Sequence, residues 1–481
     1  MMANLVVRAK VEREIDQFVE SIDTDAVCRI ASSYHGGVPC KTFGAPKHGC
    51  FNICISVVFD TSPPEKWVVR IALPALDAWI DERIETQLAT MKYVSAKTTI
   101  PVPRVHGWSF TDDSPIGSAF IIMDYVHGYT LDELGFPFRT DSRPRCFLDL
   151  GWAKHKYRQQ LADFYTQLRQ LEFPKIGALG FPTKNGKPLF DCGADEIEVI
   201  HRPMPMEMTT QEFQGMDPAA SVPAMTTYST ARSFVEDAVL SLASNDFDKS
   251  PDIGLNVRGG RDALYAQHHF HRFVLDNWLD SKQDKGPFVL MHGGLNMLLD
   301  KLVFDTELNL VGVLDWEFSC VIPAQMMVPP VWLTGGGPET MLTYKKDYFR
   351  EVSSIVAAIT EREYALDLPP RLSQEWVKME TWCHTAVVLS MVRPDLIYET
   401  YWFYLFHEVE GKIPWGVDFR NFYKWAIAPR LVAFMESPEH RALLARKVGE
   451  QRQYFADEKE ELQMETARCI LEERGRARRG N

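Results

Sequence analysis

The sequence predicts an α+β fold in which a small N-terminal antiparallel sheet lobe precedes a larger helical C-terminal lobe. Between 40 and 126 the apolar residues alternate and are separated by turns that contain Gly or Pro, as in short strands. Beyond 127 they recur mostly every three or four residues, as in amphipathic helices. The predicted units are N-terminal helices (1–39), the sheet lobe (40–126), the helical lobe (127–455) and a charged C-terminal helix (456–481).

The amino-acid composition limits which classes of protein this chain can belong to. A hydrophobic fraction of 46% and a charged fraction of 24% are ordinary for a soluble globular chain of 481 residues. The net charge of −13 argues against a nucleic-acid partner, which requires clustered basic charge. The N-terminus has no secretory signal, and no apolar run reaches the ~20 residues that span a bilayer. With nine scattered cysteines, we expect a cytoplasmic protein with reduced thiols and no membrane span.

The N-terminal elements follow from changes in apolar spacing. Residues 4–35 have helical spacing, and 41–60 (KTFGAPKHGCFNICISVVFD) alternate around a glycine-bearing turn, which predicts a hairpin. A third strand, 66–73 (KWVVRIAL), has one internal cation, Arg70. Arg70 either faces solvent or points at an anionic ligand such as a nucleotide phosphate, for which its planar fork of donors is suited.

The rest of the sheet lobe consists of a helix and two strands. The helix covers 78–97 and ends before TTIPVPRV, where Pro101 and Pro103 require extended backbone. Strands follow at 105–109 and 118–125. Helical spacing then predominates, which places the lobe boundary near 125–128.

Helical patterns fill the C-terminal lobe. They cover 151–173, 229–245, 265–279, 344–365, 373–392, 397–405 and 421–436. The segment 173–222 is rich in turns and is interpreted as an insert. Pro-rich turns are expected after Glu317.

One stretch, 288–317 (FVLMHGGLNMLLDKLVFDTELNLVGVLDWE), interrupts the helices. Its first apolar run is followed by His292 and a polar loop, and its second ends at Asp315. Two short buried strands would therefore bring a His and an Asp to neighbouring loops, which is a common arrangement for a catalytic site.

The order of these elements, with HGxL and LDWE in the helical lobe, resembles the aminoglycoside phosphotransferase and choline kinase branch of the protein-kinase-like fold. TIPVPRV, GVLDWEFSCVIPAQM and VPPVWLTG resemble the branch of filamentous fungi. The resemblance covers roughly 40–436. It implies the two-lobe kinase architecture and Mg²⁺-ATP as cofactor.

The resemblance also assigns individual residues. The implied nucleotide contacts are Gly49 and Asn52 over the phosphates, Arg70 at the phosphates, and Met123 and Tyr125 at the adenine hinge. Asp315 stands where the metal-binding aspartate is found.

Three positions depart from the family pattern. In H-x-D-L-x-x-x-N, the Asp accepts the substrate proton and the Asn binds a metal. Gly294 replaces the Asp and Leu299 replaces the Asn. The helix residue that should offer Glu to the strand cation is Gln87. Possible substitutes are Asp300, as a metal ligand, and Asn296, in the catalytic loop.

Two hypotheses follow. In the first, the kinase site is degenerate, and the protein binds or transforms a small apolar, secondary-metabolite-type molecule. The candidate catalytic residues are His292, Asn296, Asp315 and Glu317. In the second, the protein is an ATP- and Mg²⁺-dependent phosphotransferase of small alcohols or amino alcohols with a remodelled loop. Loss of the general base alone costs on the order of 10²–10⁴-fold in rate, and loss of metal ligands removes the larger electrostatic contribution. This favours the first hypothesis.

Overall fold

The computed structural model describes residues 5–49, 51–74, 78–131, 133–134, 151–249, 256–293, 301–334, 337–378, 382–409, 411, 419–456 and 459. Their arrangement confirms the predicted α+β class, with a small antiparallel sheet in the N-terminal part and a larger, mainly helical C-terminal part. Within this described part of the chain, no helix is long and apolar enough to cross a membrane.

The N-terminal lobe is a six-stranded antiparallel sheet with three helices against it. The helices are α1 (Leu5–Ser21), α2 (Thr24–Tyr34) and α3 (Ile80–Lys97). The strands are β1 (Cys40–Thr42), β2 (Lys47–His48), β3 (Asn52–Phe59), β4 (Lys66–Ala72), β5 (Val105–Ser109) and β6 (Phe120–Asp124). The strand order is β1-β3-β4-β6-β5, with β2 paired to β3.

The two faces of this sheet have different partners. Alternate residues of β3, from Ile53 to Phe59, are buried in a cluster that also includes Val27 and Ala31 of α2. The opposite face of β4 presents Arg70 toward the cleft between the lobes, where it meets α3. Because successive strand residues point to opposite faces, the alternation in β3 and β4 also determines which residues line the cleft.

The C-terminal lobe is mainly helical. Its α-helices are α4 (Gly151–Arg169), α5 (Met206–Phe213), α6 (Ala231–Ser233), α7 (Leu240–Lys249), α8 (Val257–Phe273), α9 (Pro338–Thr343), α10 (Lys345–Ala365), α11 (Arg371–Lys378), α12 (Trp382–Val392), α13 (Ile397–Thr400), α14 (Phe406–Val409), α15 (Phe419–Phe422) and α16 (Ala428–Phe434), followed by helical residues 438–456. Four π-helical turns extend these helices, at Phe234–Val239, Val274–Trp278, Tyr401–Leu405 and Tyr423–Ile427. Short 3₁₀ turns lie at Ala194–Glu196, Pro218–Ala220, Ser281–Gln283, Ala324–Met326, Val331–Thr334 and Pro394–Leu396.

The C-terminal lobe also contains short strands. They are β7 (Glu172–Phe173), β8 (Ala178–Gly180), β9 (Thr183–Lys184), β10 (Lys187–Pro188), β11 (Glu198–His201), β12 (Phe288–Met291), β13 (Leu302–Phe304), β14 (Leu310–Val313) and β15 (Cys320–Pro323). The fully buried strand β12 lies between β7 and β15, and β13 pairs with β14. The expectation of turns alone after Glu317 is wrong here. Cys320–Pro323 is a strand, because its backbone pairs with β12 from Met291 to Phe288.

Candidate active-site cleft and adjoining cavity

Arg70 is the centre of the cleft between the lobes. Its side chain is 9% exposed, and one terminal nitrogen lies 2.5 Å from Asp315 Oδ1 and 2.7 Å from Glu317 Oε1. Its other terminal nitrogen donates to Gln87 Oε1 at 2.8 Å. Arg70 therefore faces the cleft rather than solvent. It joins β4 and α3 to the segment that follows β14.

Gln87 of α3 is the helix residue that meets the strand cation, as the family resemblance implies. Glu85, two positions earlier, contacts His201 instead, with 3.1 Å between Glu85 Oε1 and His201 Nε2. Residues two apart on a helix point to different sides. The neutral amide of Gln87 accepts a hydrogen bond from Arg70 without adding the charge that a Glu would add.

Glu317 is almost completely buried and is bonded through both oxygens. The amide of Asn52, at the start of β3, donates to Oε1 at 3.1 Å and to Oε2 at 3.2 Å. Arg70 contacts Oε1, and Arg83 of α3 donates to Oε2. Asn52, which the family resemblance assigns to the phosphates, is therefore bonded to a carboxylate of the protein itself.

Arg83, like Lys301, is a cleft residue that the sequence did not indicate. It is 1% exposed, and its guanidinium lies 5.7 Å from the ring centre of Phe51 and 5.6 Å from that of Phe318. The two rings are 5.1 Å apart. An Arg in the first turns of an amphipathic helix usually faces solvent, and spacing alone gave no signal that Arg83 is buried.

Asp315 follows β14 with a left-handed backbone, at φ 66°. Its Oδ1 accepts from Arg70, and its Oδ2 lies 2.9 Å from Lys301 Nζ. A non-glycine residue with positive φ costs free energy and is often found at functional sites. The turn directs the carboxylate back into the cleft and places Glu317 beside it.

The pKa values of Asp315 and Glu317 are shifted in opposite directions. Burial by itself would raise the pKa of Asp315, but Arg70 and Lys301 hold it well below its usual value, so the carboxylate is ionised. Burial raises the pKa of Glu317, and the neighbouring Asp315 adds to that effect. Arg70 has a raised pKa because Glu317 and Asp315 outweigh the opposing effect of burial.

His292 is completely buried at the end of β12. Its Nε2–H donates to the carbonyl of Leu314 at 2.9 Å, and its ring lies 4.7 Å from that of Trp316. Burial lowers the pKa of His292 to about 4, so the imidazole is neutral at physiological pH. In this position His292 connects the first half of the stretch 288–317 to the turn that holds Asp315.

Several predicted site residues lie outside the described residues. The segment 294–300 contains Gly294, Asn296, Leu299 and Asp300, and the structure does not describe it. The substitutions at Gly294 and Leu299 therefore remain sequence observations. The roles suggested for Asn296 and Asp300 remain predictions.

The other predicted nucleotide contacts occupy separate parts of the sheet lobe. Gly49 is exposed beside β2, and its amide donates to the carbonyl of Asn52 at 3.0 Å. Met123 is buried in β6, paired with Val68. Tyr125 follows β6, and its amide donates to Lys66 O at 3.1 Å.

The described residues do not fit Mg²⁺ in this arrangement. All four carboxylate oxygens of Asp315 and Glu317 already accept from Arg70, Arg83, Lys301 or Asn52. No group of three His, Cys, Asp or Glu side chains that could hold a metal occurs in the described part of the chain. Mg²⁺ requires several oxygen ligands, which these ion pairs would have to release.

A cavity of about 650 Å³ adjoins the cleft on the side of the helical lobe. His292, Gly293 and Phe318 form its wall nearest the cleft. The remaining wall is mostly apolar and includes Phe234, Leu242, Phe247, Ile322, Met326 and Val388. This volume is within the usual 300–1,000 Å³ of small-molecule sites.

The cavity also has an acidic side. Glu207 of α5 and Asp246 of α7 both line it. Burial, with Asp246 close by, raises the pKa of Glu207 to about 8, so this carboxyl is mainly protonated at neutral pH. Gln211 donates to Glu207 Oε1 at 2.9 Å. A neutral carboxyl there can donate a hydrogen bond to an uncharged ligand oxygen.

Comparison with known proteins found no matching family model. Two curated relatives are named altered inheritance of mitochondria protein 9, mitochondrial. That of Yarrowia lipolytica is 25% identical over 301 residues, 58% of this chain and 49% of that protein. That of Candida glabrata is 25% identical over 153 residues, 30% and 24% of the two chains. The match thus spans half or less of these relatives. A subtelomeric hrmA-associated cluster protein of Aspergillus fumigatus is 27% identical over 94 residues, 20% of this chain and 16% of that protein.

Two solved structures to which this chain is similar are named as small-molecule kinases. A putative fructosamine-3-kinase from Thermobifida fusca has a TM-score of 0.40 at 13% identity, covering 79% of this chain and 98% of that one. A Plasmodium vivax ethanolamine kinase has a TM-score of 0.36 at 12% identity, covering 84% of each chain. The fold class itself rests on the element order described above.

The expectation of a cytoplasmic protein is corrected by these comparisons. Relatives from Yarrowia lipolytica, Candida glabrata, Candida tropicalis and Eremothecium gossypii are all named as mitochondrial proteins. A secretory signal marks only the secretory route and does not distinguish a cytoplasmic protein from a mitochondrial one.

Proposed function

We propose that this kinase-fold protein binds or transforms a small, largely apolar molecule in the cavity of its helical lobe, and that its interlobe cleft does not transfer phosphate. The observation that supports this most is the contact between the two sites. His292, Gly293 and Phe318 form the cavity wall beside carboxylates whose oxygens are already bonded to cations.

The electrostatics of the cleft oppose phosphoryl transfer. Such transfer depends on cations that are available to the phosphates and carboxylates that are available to the metal. Here Arg70 bridges Asp315 and Glu317, and Lys301 takes the second oxygen of Asp315. Binding of Mg²⁺-ATP would have to break buried ion pairs, and each buried charge left unpaired costs several kcal/mol.

The lining of the cavity suits an apolar ligand. Phenylalanine, leucine, methionine and valine side chains form most of its wall, and Glu207 is mainly neutral at pH 7. Apolar walls with a few polar groups that fix orientation are typical of small-molecule sites. Fungal secondary metabolites with few charges belong to this chemical class.

A solvatochromic dye, Nile red, tests the cavity. We expect its fluorescence to rise and shift to the blue on binding the wild-type protein. Ala243→Phe, which places a ring in the cavity from α7, should abolish that change. Lys249→Phe adds the same ring at an exposed position of the same helix and should not. Equal effects of the two variants would rule out the cavity as the binding site.

The second candidate, an ATP- and Mg²⁺-dependent phosphotransferase, is favoured by one observation. Asp315 is held ionised in the place of a metal-binding aspartate. Calorimetric titration with Mg²⁺-ATP separates the two candidates. We expect no binding at millimolar nucleotide, whereas transfer of phosphate to a sugar or amino alcohol that Asp315→Ala abolishes would establish the kinase. Gly294→Asp should not reduce dye binding, but should increase any residual phosphate transfer.

We also infer a mitochondrial location from the names of the relatives. Microscopy of the full-length protein with a C-terminal fluorescent tag in a fungal host tests this. Diffuse fluorescence that does not overlap a mitochondrial dye would refute it.

A further inference from the structure

Two cysteines of the N-terminal lobe lie on adjacent elements. Cys28 is on α2 and Cys40 begins β1, and the chain returns between them through residues 35–39. Gly36 and Gly37 make this return possible with left-handed backbones, at φ 66° and 86°. Side chains at these positions would be strained, so the glycines hold the two elements in a tight αβ connection.

The Cys40 thiol lies against Cys28. Cys40 Sγ donates to the backbone carbonyl of Cys28 at 3.3 Å. Both side chains are half-buried at the edge of the cluster formed by α2 and the sheet. Thus they are close to each other and still open to a small oxidant.

We propose that Cys28 and Cys40 form a reversible disulfide that fastens α2 to the edge strand β1. The proposal rests on their placement on two packed elements of the same lobe. It is independent of whether the cavity binds a ligand or the cleft binds a nucleotide.

The oxidant we name is a small disulfide such as oxidised glutathione. The Cys28 thiolate attacks one sulfur of glutathione disulfide and releases one glutathione thiolate. The Cys40 thiolate then attacks the Cys28 sulfur of the mixed disulfide and releases the second. Each cysteine loses one proton. The two electrons from the protein thiols reduce one glutathione disulfide to two glutathiones.

The order of attack follows from the surroundings. Burial and the neighbouring Cys28 raise the pKa of Cys40 to about 11, so its thiolate is scarce at neutral pH. Because the Cys40 thiol also donates its hydrogen to the Cys28 carbonyl, Cys40 is the slower, resolving thiol. In the Cys40→Ser variant, glutathione should therefore accumulate on Cys28. In the Cys28→Ser variant, glutathione should react with Cys40 much more slowly.

The disulfide would add a covalent link to existing contacts. Tyr34 of α2 donates its hydroxyl to Trp108 O at 3.0 Å, and His35 lies 2.9 Å from Glu65. These anchor the C-terminal end of α2 to the sheet. A link at Cys28 restricts the unfolded chain between the two cysteines and stabilises the docked helix.

Peptide mapping tests the proposal directly. Trypsin cuts after Arg13, Arg29 and Lys41, so 14–29 contains Cys28 alone and 30–41 contains Cys40 alone. After treatment of the full chain with oxidised glutathione, we expect the two peptides joined, lighter than their sum by two hydrogens. Dithiothreitol should separate them. The thermal midpoint of the oxidised protein should lie about 2–4 °C above that of the reduced protein.

Matched variants make the outcome decisive. Cys192→Ser removes another half-buried thiol and should leave the joined peptide and the midpoint shift intact. Cys28→Ser and Cys40→Ser should each abolish both. Glutathione on Cys28 without a joined peptide in the wild-type protein would overturn the proposal, as would a link from either cysteine to Cys50.

Discussion

Two acidic pairs lie close to the cavity, and their surroundings differ. In the cleft, Asp315 and Glu317 are surrounded by Arg70, Arg83 and Lys301. On the cavity wall, Glu207 contacts Gln211 and lies near Asp246, and its pKa rises to about 8. The cleft acids are stabilised by the neighbouring cations, whereas Glu207 is mainly neutral at pH 7.

This difference indicates which region is structural and which is open to a ligand. Buried charges that are fully paired fix the lobes against each other, and breaking such a pair is expensive. A neutral carboxyl on an apolar wall costs less free energy to desolvate under a ligand than a charged one does, and it can donate a hydrogen bond. The kinase-like position therefore acts as an interlobe clamp, and the adjoining cavity is the better candidate for ligand binding.

The largest effect is expected when Glu317, the acid at the centre of the cleft ion pairs, is removed. Glu317→Ala leaves Arg70 and Arg83 buried with fewer anionic partners, and should lower the free energy of unfolding by about 3–5 kcal/mol. Urea denaturation measures it. As a control, Asp195→Ala breaks the exposed contact with Lys97 and should cost about 0.5 kcal/mol or less. Similar losses in both variants would contradict the clamp.

His292, which lies between the two regions, should make stability depend on pH. Its folded pKa of about 4 is below its ordinary value of about 6.5 in the unfolded chain. Its contribution is therefore complete above pH 6.5 and is lost as pH falls toward 4, by at most about 3 kcal/mol.

Urea midpoints at pH 7.5 and 5 measure this dependence. His292→Gln should be less sensitive to pH over that interval. His269 and His271, whose pKa values burial also lowers to about 4, add losses in the same window that the variant retains. An unchanged pH dependence in His292→Gln would show that His292 is not the buried neutral group described here.

Glu207 should behave in the opposite way to Asp315, whose pKa is lowered. Its raised folded pKa means that the unfolded chain ionises first, so Glu207 costs stability increasingly as pH rises from about 4.5 to 8. Glu207→Gln should be near neutral at pH 5 and should stabilise the protein by about 1–2 kcal/mol at pH 8. Thermal unfolding at both values measures this. Destabilisation at pH 8 would mean that the ionised form has a compensating cation.

The smallest effect is expected at the outer edge of the cleft. Lys301 and Asp315 are each 20% exposed, and Asp315 retains Arg70 when Lys301 is removed. Lys301→Ala should cost about 0.5–1 kcal/mol in urea denaturation. A loss as large as that of Glu317→Ala would show that the clamp depends on the whole network rather than on its buried centre.

The sequence alone predicted the elements whose patterns are local. Alternation identified β3 and β4, and helical spacing identified α3 and most of the helical lobe. The position of Asp315 after a buried strand was also readable, because an apolar run that ends abruptly at an acid has few other interpretations. The match of Gln87 to Arg70 was implied by the family resemblance.

Contacts between distant segments required the tertiary structure. Arg83 and Glu317 are 234 positions apart, and nothing local distinguishes Arg83 from a solvent-facing helix residue. The pairing of Cys320–Pro323 with β12 overrode the turn-forming prolines around it. Whether Asn52 and Arg70 contact a nucleotide or the protein's own carboxylates depends on how the two lobes pack. Leaving a buried charge unpaired costs free energy, so the arrangement in which Arg70 is paired with carboxylates is favoured.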